Sequence, residues 1–243
     1  MTDHGTTTAG VDAQERSRLD AFADAMASVL ERCVWSQTMT HESLVPYLIE
    51  ETYELVDAIE DGTTDEIIEE LGDVLWQVAF HSEIASRAAE ESAGAQRFDI
   101  QDVAQRVTEK MVRRHPHVFG DEVAETPEEV LRLWTAAKAA EKSGRSSVLD
   151  GIPQGMPALA LADKVIGRAA RVGVEVAGLD HSERRAHDDD APFADETRLG
   201  EHLLSIVAEA RARGLDAERS LRLAVRRLQA DIRDAEGTAP AQA

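Results

Sequence analysis

The chain has 243 residues, 43% of them hydrophobic, enough for one large domain or two small ones. Its net charge of −21 argues against a general binder of nucleic acid or anionic membrane, either of which needs a basic surface, yet leaves a nucleotide pocket open. A single cysteine, Cys33, rules out an internal disulfide, and neither a membrane-length apolar run nor a signal-peptide pattern occurs, so a cytoplasmic protein is expected.

Residues 1–12, rich in Thr and Gly, are expected to form a disordered leader. From about Ala13 to Arg32, Leu19, Phe22, Ala23, Met26, Val29 and Leu30 recur at helical spacing, which predicts an amphipathic helix. The segment from Cys33 to Thr40 interrupts it. Tyr47 to His81 then holds two helical patterns joined by Asp61-Gly62-Thr63-Thr64, a turn followed by a helix N-cap.

In the first of these patterns Leu44, Val45, Leu48, Leu55, Val56 and Ile59 fill one stripe, at about 100° per residue. Glu51 falls at the edge of that stripe and Glu54 just beyond it, whereas Glu50 and Asp57 lie toward solvent. In the second, Ile67, Ile68, Leu71, Val74, Leu75, Trp76, Val78, Phe80 and Ile84 leave almost no polar face. That predicts a largely buried helix, part of it covered by a second subunit. Glu70 and Asp73 sit inside this apolar surround.

Burying carboxylates close together is costly unless protons or cations compensate them. Oxygen-only ligands at i, i+3 spacing on two antiparallel helices suit a hard divalent cation, Mg²⁺ or Mn²⁺, rather than zinc. The competing reading is a solvated acidic face. It is preferred for Glu66 and Glu69, while the apolar context disfavours it for Glu70 and Asp73.

Further on, Gly94 to Arg97 reads as a loop and Asp99 as the N-cap of a helix reaching about Arg114, with Lys110, Arg113 and Arg114 grouped near its end. Cations there also fit a simple dipole effect in a last helical turn. His115 and His117 flank Pro116 and are expected to be structural or rim residues. A short helix from Pro127 to Lys142, a turn at Leu149 to Pro153, and a helix from Pro157 to about Val172 follow. The charged run Asp180 to Asp190 reads as a flexible linker, and a last helix spans Asp216 to about Arg233. The expected organisation is a catalytic helical domain over 13–145, a connector with a helix over 146–178, an acidic linker over 179–195, a second half over 196–235, and a disordered tail over 236–243.

The arrangement Glu50-Glu51-x-x-Glu54 followed by Glu70-x-x-Asp73 within EELGD resembles the metal motif of the MazG-type nucleoside triphosphate pyrophosphohydrolases, all-α enzymes similar to dimeric dUTPases. THESLVPYLIEE (Thr40 to Glu51), EKMVRRHPHVFGD (Glu109 to Asp121) and SVLDGIPQGMPAL (Ser147 to Leu159) resemble family phrases in the same order, so the likeness covers roughly Leu30 to Gly173. Val34, Ser36 and Met39 stand where the family usually has Pro, Asp and Gln, and Thr108 where it often has Asn. Leu199 to Leu204 looks like a worn copy of the LGD phrase, with Arg198 in the place of the metal-binding Glu.

The resemblance implies an all-α bundle of helical hairpins completed by homodimerisation. Because this chain lacks the second metal motif of two-repeat members, its second half is expected to be degenerate and catalysis to rest on the first half, a departure from those members. It implies that Glu51, Glu54, Glu70 and Asp73 hold Mg²⁺, with Mn²⁺ a possible substitute, and that Glu50 orients a second metal or accepts a proton. Lys110, Arg113 and Arg114 would then neutralise the triphosphate of an NTP or dNTP substrate. The loop bearing Trp35 and His41 would approach the base, where Trp35 either stacks on it or belongs to the core. Two other readings compete with this one. A di-iron oxidase needs Glu-x-x-His, and no histidine has Glu three residues before it. A non-catalytic helical dimer that binds nucleotides or a protein is the competing alternative.

Overall fold

A computed structural model describes residues 12–87, 97–141, 146–174, 176 and 195–238. Among them are nine α-helices and no strand: α1 (Asp12–Arg32), α2 (Val45–Asp61), α3 (Thr64–Ser86), α4 (Ile100–Arg114), α5 (Pro116–Phe119), α6 (Pro127–Ala140), α7 (Ala158–Ala169), α8 (Glu196–Ala212) and α9 (Ala217–Thr238). The all-α expectation is met. The chain divides into two compact units, Met1–Glu141 and Lys142–Ala243. The leader up to residue 11, the loop at 94–96, most of the proposed linker and the last five residues lie outside the described residues.

In the first unit α2 and α3 form the tightest helix pair, with α1 against α3 on one side and α4 on another. Met26, Leu30, Leu44, Ala79 and Phe80 make the buried core, flanked by Phe22, Met39, Trp76 and Ile84. Phe22 meets Trp76 edge to face at 5.9 Å, a favourable quadrupole geometry. The turn between α2 and α3 is built as its residue types require. The Thr63 hydroxyl accepts from the Glu66 N–H at 3.3 Å while the Glu66 carboxylate accepts from the Thr63 N–H at 2.6 Å, a reciprocal capping box. Gly62 must be glycine because a Cβ there would lie 2.7 Å from the Ala58 carbonyl oxygen. Asp99 and Asp102 cap α4 in the same reciprocal way.

Three expectations need correction. The second hairpin helix is not buried nearly all round: Ile68, Leu71, Leu75 and Val78 are exposed, because α1, α2 and α4 cover only part of its circumference. On α2, Val45 and Ile59 are likewise exposed, although they share the apolar stripe with buried Leu44. The last helix runs on to Thr238, past its expected end at about Arg233.

The second unit packs α7 against α8 and α9, with Ser205, Val207 and Ala208 buried on α8. Arg211 grips both carboxylate oxygens of Asp163 at 2.8 and 2.9 Å. Gly167 makes room for that guanidinium, since a Cβ there would approach it to 2.5 Å. The turn before α7 is held by Asp150, whose carboxylate accepts the backbone N–H groups of Ser146 and Ser147, each at 3.0 Å.

Candidate metal centre

Glu51 on α2 and Glu70 and Asp73 on α3 each bring one carboxylate oxygen within 4.8 Å of the others. The helices bring them together because Glu70 and Asp73, three residues apart, share the face of α3 turned to α2. Glu51 and Glu70 are half-buried and Asp73 is exposed. The Glu70 Oε2 atom is buried with no hydrogen-bond partner.

The electrostatics match that geometry. Burial pushes the Glu51 carboxyl above its ordinary range, a Gln77 hydrogen bond pulls it down, and the Asp73 and Glu54 charges push it further up. Burial also raises Glu70, helped by the charges of Glu54, Asp73, Glu69 and Glu66. Carboxylates held where their own charge is disfavoured are a set that a cation would relieve. Because every donor is a carboxylate oxygen, the set fits a hard divalent ion.

Of the five predicted acidic residues, three converge. Glu54 is exposed and outside the trio, yet close enough for its charge to act on both Glu51 and Glu70. Glu50 is exposed and takes no part in the cluster. Among the described residues no second group of this kind occurs, and Arg198 lies in the first turn of α8, its N–H donated to the Asp195 cap at 2.8 Å.

The predicted cations divide. Lys110 and Arg113 line an open groove along α4, about 820 Å³ in volume, together with Arg97, Phe98, Asp102 and Arg106. Arg114 does not line that groove. It is buried, bonded to Glu141 at 2.6 and 3.2 Å, and its guanidinium lies 5.2 Å from the Trp134 ring centroid. Its fork is spent on joining α4 to the end of α6. Glu141 also pairs with Arg113 at 3.4 Å, and the two guanidinium groups, Arg114 foremost, hold its carboxyl below the usual range.

Trp35 is half exposed and meets Tyr47 and Phe80 edge to face at 5.9 and 6.5 Å, so it borders the core and keeps a face toward solvent. His41 stacks on His81, ring centroids 5.1 Å apart and planes 4° from parallel, with facing Nδ1 atoms at 2.8 Å. One of those nitrogens must carry a proton and the other a lone pair. Burial, then the His41 charge, lowers the pKa of His81. His115 Nδ1 donates to the Met111 carbonyl at 2.7 Å, a structural use as expected.

Sequence reading missed Gln77, His81 and Arg106. The i, i+4, i+7 row Arg106, Lys110, Arg113 was available as a signal. So was the polar row Asp73, Gln77, His81 inside an apolar helix.

Comparison with known proteins places these elements in a family. The model of the MazG nucleotide pyrophosphohydrolase domain matches residues 39–119. An uncharacterised 26.1 kDa protein from Streptomyces cacaoi is 44% identical over 91% of this chain and 84% of its own length. The nucleoside triphosphate pyrophosphohydrolase/pyrophosphatase MazG of Thermotoga maritima is 39% identical over 81% of this chain and 76% of its own. The nucleoside triphosphate pyrophosphohydrolase of Escherichia coli K12 is 34% identical over 88% and 86%. A solved mazG-related protein from Thermotoga maritima aligns with 49% of this chain and 97% of its own at a TM-score of 0.41 and 24% identity. Since the likeness to full-length relatives extends well beyond the matched domain, this chain belongs to the MazG nucleotide pyrophosphohydrolase family.

Proposed function

We propose that this chain hydrolyses nucleoside triphosphates, NTPs or dNTPs, between the α and β phosphates in a Mg²⁺-dependent reaction, releasing a nucleoside monophosphate and pyrophosphate. The observation that carries the reading is the convergence of Glu51, Glu70 and Asp73 around a buried Glu70 oxygen that has no partner within the protein. Glu51, Glu70 and Asp73 would hold the ion, with Glu54 completing the set. Bound there, a divalent ion supplies charge neutralisation and Lewis-acid polarisation of a phosphoryl oxygen.

The remaining chemistry falls to the chain's own side chains. Lys110 and Arg113 in the α4 groove neutralise phosphate oxygens as charge builds on the departing pyrophosphate. A water oxygen bonds to the α phosphorus, the α–β bridging oxygen leaves with its electron pair, and Glu50 takes the water's proton. Trp35, half exposed beside Tyr47, offers a face for the base, and His41 borders the same loop. The exposed apolar stripe of α2 and α3 supports a homodimer. Removal of non-standard triphosphates from the cytoplasmic nucleotide pool is the role that suits such a product pattern. No helix among the described residues is long and apolar enough to cross a membrane.

The test is product analysis by ion-exchange chromatography after incubation with each common NTP and dNTP, with Mg²⁺ and then with EDTA. Monophosphate plus pyrophosphate, abolished by EDTA, is the expected result. Diphosphate plus phosphate would refute α–β cleavage, and no turnover with any nucleotide would refute the enzymatic reading.

A further inference from the structure

Gln77 stands on α3 one turn beyond Asp73 and is 5% exposed, in a stretch otherwise made of Trp76, Val78, Ala79 and Phe80. Its Nε2 donates to Glu51 Oε1 at 3.4 Å, across the gap between α3 and α2. Its own Oε1 is buried and has no hydrogen-bond partner. Turning the amide over would set that oxygen against a carboxylate oxygen, so one orientation is favoured.

An orphaned buried carbonyl oxygen costs stability, and a methionine of similar length would occupy the same space without that cost. Packing alone therefore gives no reason for an amide at this position. What the amide does is tether Glu51, an end of a flexible side chain that Asp73 and Glu54 otherwise push away. The bond is long for N–H···O and correspondingly weak, so its part is to bias the direction in which the Glu51 carboxylate points.

Resting on the metal-site reading given above, we propose that Gln77 is a positioning residue. Its side-chain amide holds Glu51 in the rotamer that closes the carboxylate set with Glu70 and Asp73, so that a divalent cation meets a preformed site. Groups that orient a metal's ligands typically matter by about 10- to 100-fold in metal affinity.

The experiment compares wild type, Gln77→Met and Gln77→Asn on the full chain. Mn²⁺ affinity is measured by calorimetry, the melting temperature is measured in EDTA, and kcat is measured at saturating Mg²⁺. Gln77→Met is expected to melt in EDTA at or above the wild-type temperature, to bind Mn²⁺ about 10- to 100-fold more weakly, and to recover most of kcat once Mg²⁺ saturates. A merely structural glutamine would instead lower the melting temperature and leave the affinity of the folded protein unchanged, and that result overturns the proposal. Should Gln77→Met fail to fold, Gln77→Asn decides, because it keeps the amide but shortens its reach. Weakened Mn²⁺ binding with native circular dichroism supports the tether, and unchanged binding overturns it. Glu70→Gln separates the two levels: if wild type binds no Mn²⁺, or Glu70→Gln binds it as well as wild type, the metal-site reading itself falls and this inference with it.

Discussion

Glu70 and Arg114 are both charged residues set against apolar surroundings, and their neighbours give them opposite fates. Arg114 finds Glu141 and the Trp134 ring, so its charge is answered within the fold. Glu70 finds other carboxylates and keeps an unpartnered oxygen. Glu70→Gln should therefore be harmless or helpful to the metal-free protein and damaging to turnover, by about 100-fold or more if a ligand is lost. The pH dependence has a definite sign. A carboxyl whose folded pKa is raised contributes stability that is complete below its unfolded value, near 4.5, and is lost as pH rises through the folded value. In EDTA, wild type and Glu70→Gln should melt together at low pH, and wild type should fall behind as pH climbs above that range. Added Mg²⁺ should reverse the order at neutral pH. Melting curves in the two buffers across pH 4 to 8 check this, and a wild type that gains nothing from Mg²⁺ would sink it. The clustering of Glu51, Glu70 and Asp73 was legible in the sequence because helical angles alone bring such positions onto facing sides of a hairpin. The fate of Arg114 was not, since its partner Glu141 is 27 residues away and no local spacing connects them.

At the scale of the helix, the site depends on where α3 begins. Thr63 and Glu66 fix that point by exchanging two hydrogen bonds, and Glu70 follows one turn later. Sequence reading placed an N-cap within Asp61 to Thr64 and assigned Glu66 to a solvated face; the structure makes Thr63 the cap and gives Glu66 the second half of the box. The backbone and side-chain hydrogen bonds from Thr63 hold the Glu66 carboxyl below its ordinary range, which marks the box as an electrostatic feature as well as a geometric one. Thr63→Ala should cost about 1 kcal/mol of unfolding free energy, measured by urea denaturation, with an unchanged m-value. A loss near zero would mean that the α2–α3 turn is held by Gly62 and packing alone. Periodicity located most of these helices because apolar residues at i, i+3 and i+4 are needed to seat any helix on a core. It missed α5, since four residues are too short to show a period, and α8, where only a worn copy of the LGD phrase was read. It did not show which side of α3 the chain itself covers, since the pattern tells which residues are apolar and not what is present to cover them.

That uncovered surface is the main problem posed by the molecule as a whole. Ile68, Leu71, Leu75 and Val78 follow a 3-4-3 spacing and so form one stripe along α3, while Ile49 and Tyr53 are exposed on the neighbouring α2. A chain with a net charge of −21 has ample polar residues for its surface, so a contiguous apolar stripe on its most tightly paired helices calls for a partner. A second copy meets the need most simply, because a two-fold axis lets the same stripe cover itself. In such an interface each substitution occurs twice. Ile68→Asp, 64% exposed in the single chain and hence of little consequence to its folding, would bury two carboxylates in the dimer. At about 2 kcal/mol each, the dissociation constant should rise by roughly three orders of magnitude. Sedimentation velocity across a concentration series checks this: wild type should sediment as a dimer at micromolar concentration, and Ile68→Asp as a folded monomer. A wild type that stays monomeric at the highest concentration reached would refute the dimer, and an Ile68→Asp variant that still dimerises would move the interface away from α3. Ile68 lies two residues before Glu70 on the same helix, so a monomeric variant also reports whether the carboxylate set depends on the partner. Mn²⁺ affinity that survives dissociation would show that α2 and α3 hold the set unaided, whereas affinity lost together with the dimer would make association part of how the site is built.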